Sequence, residues 1–281
     1  MNATGYHIPR ATKIPMMKPS RLLFAEMTRE ELRAVAAETT VVLPLGATEQ
    51  HGPHLPAGTD FLTVEHLARA AADRAAAEIS IIVTPALPFG SSDHHLIFGA
   101  TLSLRTETYY RLLTDLLKSL VTDGFRRIFL LNGHGGNHEL AELAARDVAL
   151  ELPARIAAAS YWTIAWDALI AEQAHLGCRL PGHAGIFETS MMLSLRPELV
   201  DPQRPHREYK QDADPKSFHS PYRHERHGFW MEIDGYTDSP DRGSAERGRR
   251  YSEAVIGALA KTFVDFARAD GTITEEARSS S

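Results

Sequence analysis

The sequence contains a single cysteine among its 281 residues, Cys178, so no disulfide can form within the chain. A lone thiol suits a reducing compartment, and the residues around Cys178 do not resemble an activated nucleophile. No stretch approaches the ~18 apolar residues that a membrane span needs, and residues 1–20 lack the apolar core of a signal peptide. We therefore expect a cytoplasmic protein without a membrane partner.

The sequence also lacks an excess of positive charge. It contains 30 lysines and arginines against 36 aspartates and glutamates, for a formal net charge of −6. The basic stripe that is typical of nucleic-acid binding is absent, and the arginines of 204–226 are diluted by acidic residues. We expect no nucleic-acid partner. Hydrophobic residues make up 43% of the chain, which is enough to build a sizeable core.

Short apolar segments of strand length alternate with longer helical segments. Buried strands are predicted at 40–45, 79–87, 127–131 and 155–161, and a further short strand at 101–104. A capping box at Thr28 predicts a short helix. Longer helices are predicted over 61–77, 106–123 with Thr106 as the N-cap, 138–150 with Asn137 as the N-cap, 185–195 and 244–269.

Strands that alternate with helices are typical of an α/β fold with a largely parallel sheet. We predict a layered α/β/α domain over residues 22–270, preceded by an N-terminal arm over 1–21 and followed by a tail over 271–281. Residues 197–243, rich in Pro, His and Arg, are expected to be mostly irregular. No internal repeat or linker divides the domain.

The first group of functional candidates follows the apolar segment 40–45. Glu49 and His51 are two residues apart, so in an extended segment their side chains face the same way. Ligands of open α/β sheets bind beyond the carboxyl ends of strands, and a carboxylate beside an imidazole suits zinc or manganese. Asp60 ends this loop; it is equally compatible with bridging two metals and with capping a helix. The alternative for Glu49 and His51 is an ordinary polar loop.

Two more groups follow later in the chain. The sequence NGHGGN at 132–137 comes after another apolar segment, and its glycines leave His134 free to reach a metal. The alternatives are an incidental glycine-rich turn and a phosphate-binding loop, although no Gly-Lys-Ser/Thr follows. Near the start of the helix predicted at 185–195, His183 is a candidate acid or base. Glu188 is a candidate metal ligand, or alternatively a carboxylate that caps the helix.

Taken together, these segments resemble the creatininase family of amidohydrolases. The resemblance is carried by LPLGATEQHGPHLPAGTD at 43–60, LLNGHGGN at 130–137 and HAGIFETSMML at 183–193, and it covers most of residues 22–268. It implies a layered α/β domain, a homohexamer and a centre of two divalent metal ions, zinc, manganese or iron, at the strand ends.

The family pattern also implies individual ligands. Asp60 would bridge the two ions, Glu49 and His134 would hold one of them, and His51 would hold the other. Creatininase itself has a glutamate two residues after the loop histidine, where this chain has Gly136. The substitute carboxylate that we predict is Glu188.

Two further histidines match family positions. His183 corresponds to the proposed proton donor, although the glutamate that precedes it in creatininase is Gly182 here. His95 matches a catalytic-loop histidine of several relatives. Its neighbours Asp93 and His94 are interpreted as ordinary polar loop residues.

These residues predict a hydrolase that cleaves a small, cyclic amide or carbonyl substrate with a metal-bound hydroxide. One alternative is a C–C hydrolase that opens a cyclic ketone such as a keto-inositol, because the family includes such an enzyme. Another is a metal-binding subunit without turnover, which the missing carboxylate at Gly136 would favour. Creatinine is predicted to be a poor substrate for two reasons. Residues 176–181 lack the aromatic side chain that covers the ring in creatinine-cleaving members, and Gly136 and Gly182 remove two carboxylates near the reacting centre.

Overall fold

The computed structural model describes residues 19–175, 179–207 and 225–269. Cys178, most of the predicted N-terminal arm and the whole predicted C-terminal tail lie outside these residues. Among the helices of the described ranges, none combines the length and the apolar character that crossing a bilayer requires.

A parallel sheet lies at the centre of the described residues. Its strands are β1 (Thr40–Leu45), β2 (Ile81–Val83), β3 (Arg127–Asn132) and β4 (Arg155–Ser160), in the order β2-β1-β3-β4. Every residue of β1 is buried, as expected for a parallel strand that is covered on both faces. The predicted α/β fold with a parallel sheet is confirmed.

Helices cover both faces of the sheet. They are α1 (Arg29–Val35), α2 (Thr59–Ala75), α3 (Thr106–Thr122), α4 (His138–Glu151), α5 (Tyr161–Ile164), α6 (Trp166–Ala171), α7 (Ile186–Leu195), α8 (Phe229–Glu232) and α9 (Ala245–Arg268). Short 3-10 turns lie at Phe24–Glu26, Ala36–Glu38, Asp93–Phe98, Gly135–Asn137, Pro197–Leu199 and Pro240–Arg242. The capping box predicted at Thr28 is present, with Glu31 as its second member.

Successive strand residues point to opposite faces and so divide the core in two. Val42 and Phe129 pack in a cluster with residues of α2, α7 and α9. Val41 and Ile128 pack in a second cluster with residues of α3 and α4. The sheet therefore lies between two apolar layers, which is the predicted α/β/α arrangement.

Two strand predictions were wrong in extent. The strand expected at 79–87 is reduced to Ile81–Val83, because Pro85 and Pro88 follow and cannot donate to a strand ladder. The strand expected at 101–104 is absent, and only an isolated bridge joins Ser103 to Gly90. This segment lies on the surface, where Leu102 is 57% exposed, so its apolar residues do not mark a buried strand.

Two predicted helix caps were also wrong. Thr106 is the first residue inside α3, and no side chain caps that helix. Asn137 precedes α4 without capping it. Its side chain instead accepts a hydrogen bond from Ser91 N at 3.0 Å and donates one to Gly46 O at 3.0 Å. Asn137 therefore ties together the loops that follow three strands, a role that its position in the sequence does not reveal.

Candidate active site

The candidate residues collect beyond the carboxyl ends of β1 and β3. The order of the sheet reverses between these strands, because the chain passes from β1 to an edge at β2 and then returns to β3. A crevice at such a switch point is the usual ligand site of an open α/β sheet. Glu49 and His51 follow β1, His134 follows β3, and the first turns of α2 and α7 contribute Asp60 and Glu188.

Asp60 lies between two histidines. Its Oδ1 is 3.1 Å from Nε2 of His51, and its Oδ2 is 3.0 Å from Nδ1 of His134. The N-cap of α2 is Gly58, so the interpretation of Asp60 as a helix cap was wrong. Its two carboxylate oxygens face two different imidazoles, as the two oxygens of a bridging ligand would.

One further carboxylate adjoins each of these histidines. Oε1 of Glu49 lies 3.3 Å from Nδ1 of His134, and Oε2 of Glu188 lies 3.7 Å from Nε2 of His51. Glu188 Oε2 also accepts a hydrogen bond from Ala184 N at 2.5 Å. The same carboxylate thus stabilises the turn that begins α7 and reaches the cluster, so the two interpretations of Glu188 are compatible.

Three groups of side chains are close enough to share an ion, with ligand atoms within 4.8 Å of one another: His51, Asp60 and Glu188; Glu49, His51 and His183; and Glu49, His94 and His134. The interpretation of His94 as a polar loop residue overlooked its position in the last group. No sequence pattern indicates this position, because it depends on the 3-10 turn Asp93–Phe98, which places two successive imidazoles side by side with ring centroids 4.2 Å apart.

The carboxylates control the charge of the two imidazoles that face Asp60. Burial alone would lower the pKa of His51, but Asp60 and Glu188 raise it to about 10. Burial likewise opposes protonation of His134, but Glu49 and Asp60 raise its pKa well above the ordinary value. In return, the charge of His134 outweighs burial and holds the pKa of Glu49 well below its usual range. The cluster therefore attracts positive charge.

The donor set fits a divalent metal. The second oxygen of Glu49, Oε2, is buried and makes no hydrogen bond within the described residues, which is costly for a polar atom unless a ligand satisfies it. A divalent ion would replace the protons that the carboxylates now draw onto His51 and His134. Mixed carboxylate and imidazole ligands suit zinc, manganese or iron.

The backbone leaves no room for a carboxylate at position 136. A Cβ on Gly136 would lie 2.0 Å from Ser91 O and 2.6 Å from Nε2 of His134. The same Nε2 is 3.0 Å from Ser91 O, to which only a protonated nitrogen can bond. This contact directs Nδ1 of His134 toward Glu49 and Asp60, to which it donates when protonated, and the same nitrogen would offer its lone pair to a bound ion.

A second set of aromatic side chains forms one wall of the cleft. The rings of His95 and His183 are stacked, with centroids 4.2 Å apart and an interplanar angle of 20°. Burial lowers the pKa of His95 to about 2 and that of His183 to about 3, and neighbouring imidazoles add to the effect. These two imidazoles are neutral, unlike the two that face Asp60.

Trp230 completes this wall and was missed in the sequence. Its ring is 4.6 Å from that of His95 and 5.3 Å from that of His183, centroid to centroid. It belongs to α8, in a region expected to be irregular. The signal that could have found it was an adjacent pair of large aromatic residues, Phe229 and Trp230, in a segment rich in charged residues and histidine.

Comparison with known proteins identifies several relatives. The profile of the creatininase family, described as creatinine amidohydrolase, matches residues 25–263. A creatinine amidohydrolase of Pseudomonas putida is 33% identical over 62% of this chain and 71% of that protein. A mycofactocin precursor peptide peptidase of Mycobacterium tuberculosis is 35% identical over 59% of this chain and 62% of that protein, which is less than two thirds of its length. A 3-dehydro-scyllo-inosose hydrolase of Thermotoga maritima is 27% identical over 72% and 64%, respectively.

Solved structures share the fold over nearly their whole length. A protein from Bacteroides fragilis described as a creatinine amidohydrolase has a TM-score of 0.72 at 28% identity, covering 92% of this chain and all of that one. A manganese creatininase has a TM-score of 0.68 at 26% identity, over 88% and 99% of the two chains. A creatininase of Zn–Zn type reaches 0.71 at 26% identity over the same shares.

Proposed function

The chain belongs to the creatininase family of hydrolases, and we propose that it works with two divalent metal ions bridged by Asp60. The observation that carries this proposal is the orientation of the Asp60 carboxylate, with one oxygen toward His51 and the other toward His134. A plain structural aspartate in the first turn of a helix has no reason to face two buried imidazoles.

Each ion is assigned its own ligands in addition to Asp60. Glu49 and His134 would hold the first ion, and His51 and Glu188 would hold the second. Glu188 takes the place of the family glutamate, because the backbone around Gly136 excludes a side chain there. The solved relatives with manganese and with two zinc ions support zinc or manganese as the native metal, and iron is compatible with the same ligands.

Bound metal ions of this kind activate water and polarise a carbonyl group. The chain itself supplies acid–base chemistry and exclusion of water. His183 is assigned the transfer of a proton to the departing atom, a step that typically contributes ~10²–10⁴-fold. His95 lies beside it, and Trp230 packs edge-on against both rings and adds apolar surface for a small substrate.

The substrate that we propose is a small, cyclic amide or a related carbonyl compound. The relatives act, by their names, on creatinine, on a precursor peptide and on a dehydro-inosose. The inosose hydrolase keeps a second candidate open, the hydrolytic opening of a cyclic ketone at a C–C bond. A subunit without turnover is disfavoured, because Glu188 lies within reach of the second ion despite the missing carboxylate at Gly136.

Creatinine remains a predicted poor substrate, but one reason for that prediction no longer holds. Trp230 places an aromatic ring beside His183, although it comes from a different part of the chain than expected. The other reason stands, because Gly136 and Gly182 remove two carboxylates that creatininase has. Gly182 also has a φ of +68°, which side chains rarely adopt.

We also propose that the chain forms a homo-oligomer, a hexamer by the family resemblance. Four large apolar side chains near the cleft are between 43% and 61% exposed: Phe89, Leu96, Ile97 and Leu102. Such a concentration of apolar surface is typical of an interface. Light scattering coupled to size-exclusion chromatography would measure the mass, and a monomer at micromolar concentration would contradict this proposal.

The decisive experiment combines metal analysis with a substrate screen. Two ions per chain are expected, with activity lost on chelation and restored by zinc, manganese or iron. The screen compares lactams, formamides, cyclic ketones and creatinine, and product analysis distinguishes release of an amine or formate from a ring-opened keto product. Full activity in metal-free protein would contradict the proposed function, and creatinine turnover at least as fast as that of every other compound would contradict the prediction that creatinine is a poor substrate.

A further inference from the structure

The side-chain amide of Gln50 lies between the two wall histidines. Its Nε2 is 2.8 Å from Nδ1 of His95, 3.0 Å from the carbonyl oxygen of Gly235 and 3.2 Å from Nε2 of His183. The orientation of the amide is fixed on both sides. Oε1 accepts from the backbone N–H of Gly52 at 2.9 Å, and Gly235 O can accept only from an N–H, so exchanging the amide oxygen and nitrogen would break both bonds.

Counting hydrogens then assigns the protons of both imidazoles. A primary amide carries two N–H groups, and its two shorter contacts, Gly235 O and His95 Nδ1, use both of them. His95 Nδ1 is therefore an acceptor, and a neutral His95 carries its proton on Nε2. No amide hydrogen remains for His183. Its Nε2 is 2.9 Å from the backbone oxygen of Gln50, which can only accept, so this nitrogen carries the proton.

We propose that Gln50 fixes His95 and His183 in complementary roles, with one N–H donor and one lone-pair acceptor facing the same cleft. Both free nitrogens point toward the same ligand carboxylate. His95 Nε2 and His183 Nδ1 are each 3.6 Å from Oε1 of Glu49, too long for a hydrogen bond. Among the described residues, the buried Nε2 of His95 has no hydrogen-bond partner, which marks it as a donor for a ligand.

The N–H donor of His95 and the lone pair of His183 assign one catalytic step to each histidine, and this assignment rests on the proposed function. His183 Nδ1 takes a proton from the attacking water as its oxygen bonds to the carbonyl carbon. The carbonyl π electrons move to oxygen, where the Nε2–H of His95 stabilises the developing negative charge. When the bond to the departing atom breaks, His183 returns the proton to that atom and becomes neutral again. Gln50 itself touches no reacting atom and is a positioning residue.

The protonated nitrogen of each ring can be measured directly, without turnover. Zinc-loaded protein labelled with ¹⁵N-histidine would be examined by long-range ¹H–¹⁵N correlation, which distinguishes protonated from unprotonated ring nitrogens. The variants His95→Gln and His183→Gln would assign the signals by their loss. The expected result is a proton on Nε2 of both rings. A proton on Nδ1 of either His95 or His183 would overturn the proposal.

The variant Gln50→Glu tests whether the Gln50 amide determines which nitrogen of His95 carries the proton. A carboxylate of the same shape cannot donate to His95 Nδ1, so His95 should move its proton to Nδ1. Turnover should fall by about 10²-fold or more, with metal content unchanged. Thr101→Val is the matched control, because it removes the hydroxyl that accepts from the backbone N–H of Gln50 at 3.1 Å and leaves the carboxamide in place. Its two histidines should keep the protonation of the parent protein.

If Gln50→Glu does not fold, Gln50→Met removes the donor without adding charge and should give a mixture of both tautomers at His95. An unchanged His95 in a folded Gln50 variant would overturn the proposal. A protein without metal or turnover would contradict the proposed function and still report its tautomers, so the two failures are distinguishable.

Discussion

The two sides of the cleft use histidine in opposite ways. On the side that we propose to hold the metal, called the ligand side below, His51 and His134 face Asp60 and other carboxylates, which raise their pKa values. On the wall side, burial and neighbouring imidazoles lower the pKa values of His95 and His183. Histidines on the ligand side can therefore exchange a proton for a metal ion. Histidines on the wall side stay neutral and act as hydrogen-bond donors or acceptors. The neighbouring groups decide which role each histidine takes.

The largest expected effect is on the ligand side, from Asp60→Asn. An amide is a poor bridging ligand, so both ions should be lost and turnover should fall below detection. Metal content by mass spectrometry and turnover would be measured together. The matched control is Asp73→Asn, the same change at an exposed position of α2, and it should behave like the parent protein. Two ions retained in Asp60→Asn would show that the carboxylate does not bridge.

The corresponding change on the wall side should separate metal binding from turnover. We expect His183→Ala to keep both ions and to lose ~10²–10⁴-fold in kcat, because general acid–base catalysis is of that size. A substrate whose leaving group needs no proton should lose less. His183 is also close enough to Glu49 and His51 to share an ion with them. Loss of an ion from the His183→Ala variant would therefore show that His183 is a metal ligand.

A smaller effect is expected from Glu188→Gln. Glu188 contacts only the His51 end of the cluster, so the first ion should remain bound and the second should bind more weakly. The affinity of the second site should fall by at least about 10–100-fold, the loss that is typical when a group that only supports a metal ligand is removed. Stepwise metal titration would show one tight and one weakened site. Equal loss of both ions would mean that Glu188 supports the whole cluster through its hydrogen bond to Ala184.

The ligand side could be predicted from the sequence because its residues belong to local motifs. Glu49 and His51 directly follow β1, His134 directly follows β3, and parallel strands bring those ends together. Local sequence patterns could not decide whether Asp60 is a metal ligand or a helix cap. That choice depends on His134, which lies 74 residues further along the chain (134 − 60 = 74).

The wall side could be predicted only in part. His95 and His183 were identified by family position, but Trp230 and the function of Gln50 were not. The bond from Gln50 to Gly235 spans 185 residues and ends on a backbone carbonyl, which leaves no mark on residue identity. Short segments folded by tertiary contacts, such as α8, likewise lack the periodicity that identifies long helices.

The smallest expected effect comes from a substitution on the wall side, at Trp230. Trp230 contacts the neutral rings of the wall edge-on, and its indole, which is only a hydrogen-bond donor, offers no ligand atom to a metal. Trp230→Ala should therefore leave metal content unchanged and raise KM by about threefold to tenfold, the size expected from losing one aromatic contact. Trp230→Phe keeps an aromatic face and should recover most of that loss. A fall in kcat as large as that of His183→Ala, with KM unchanged, would instead show that Trp230 holds the two imidazoles in place for proton transfer.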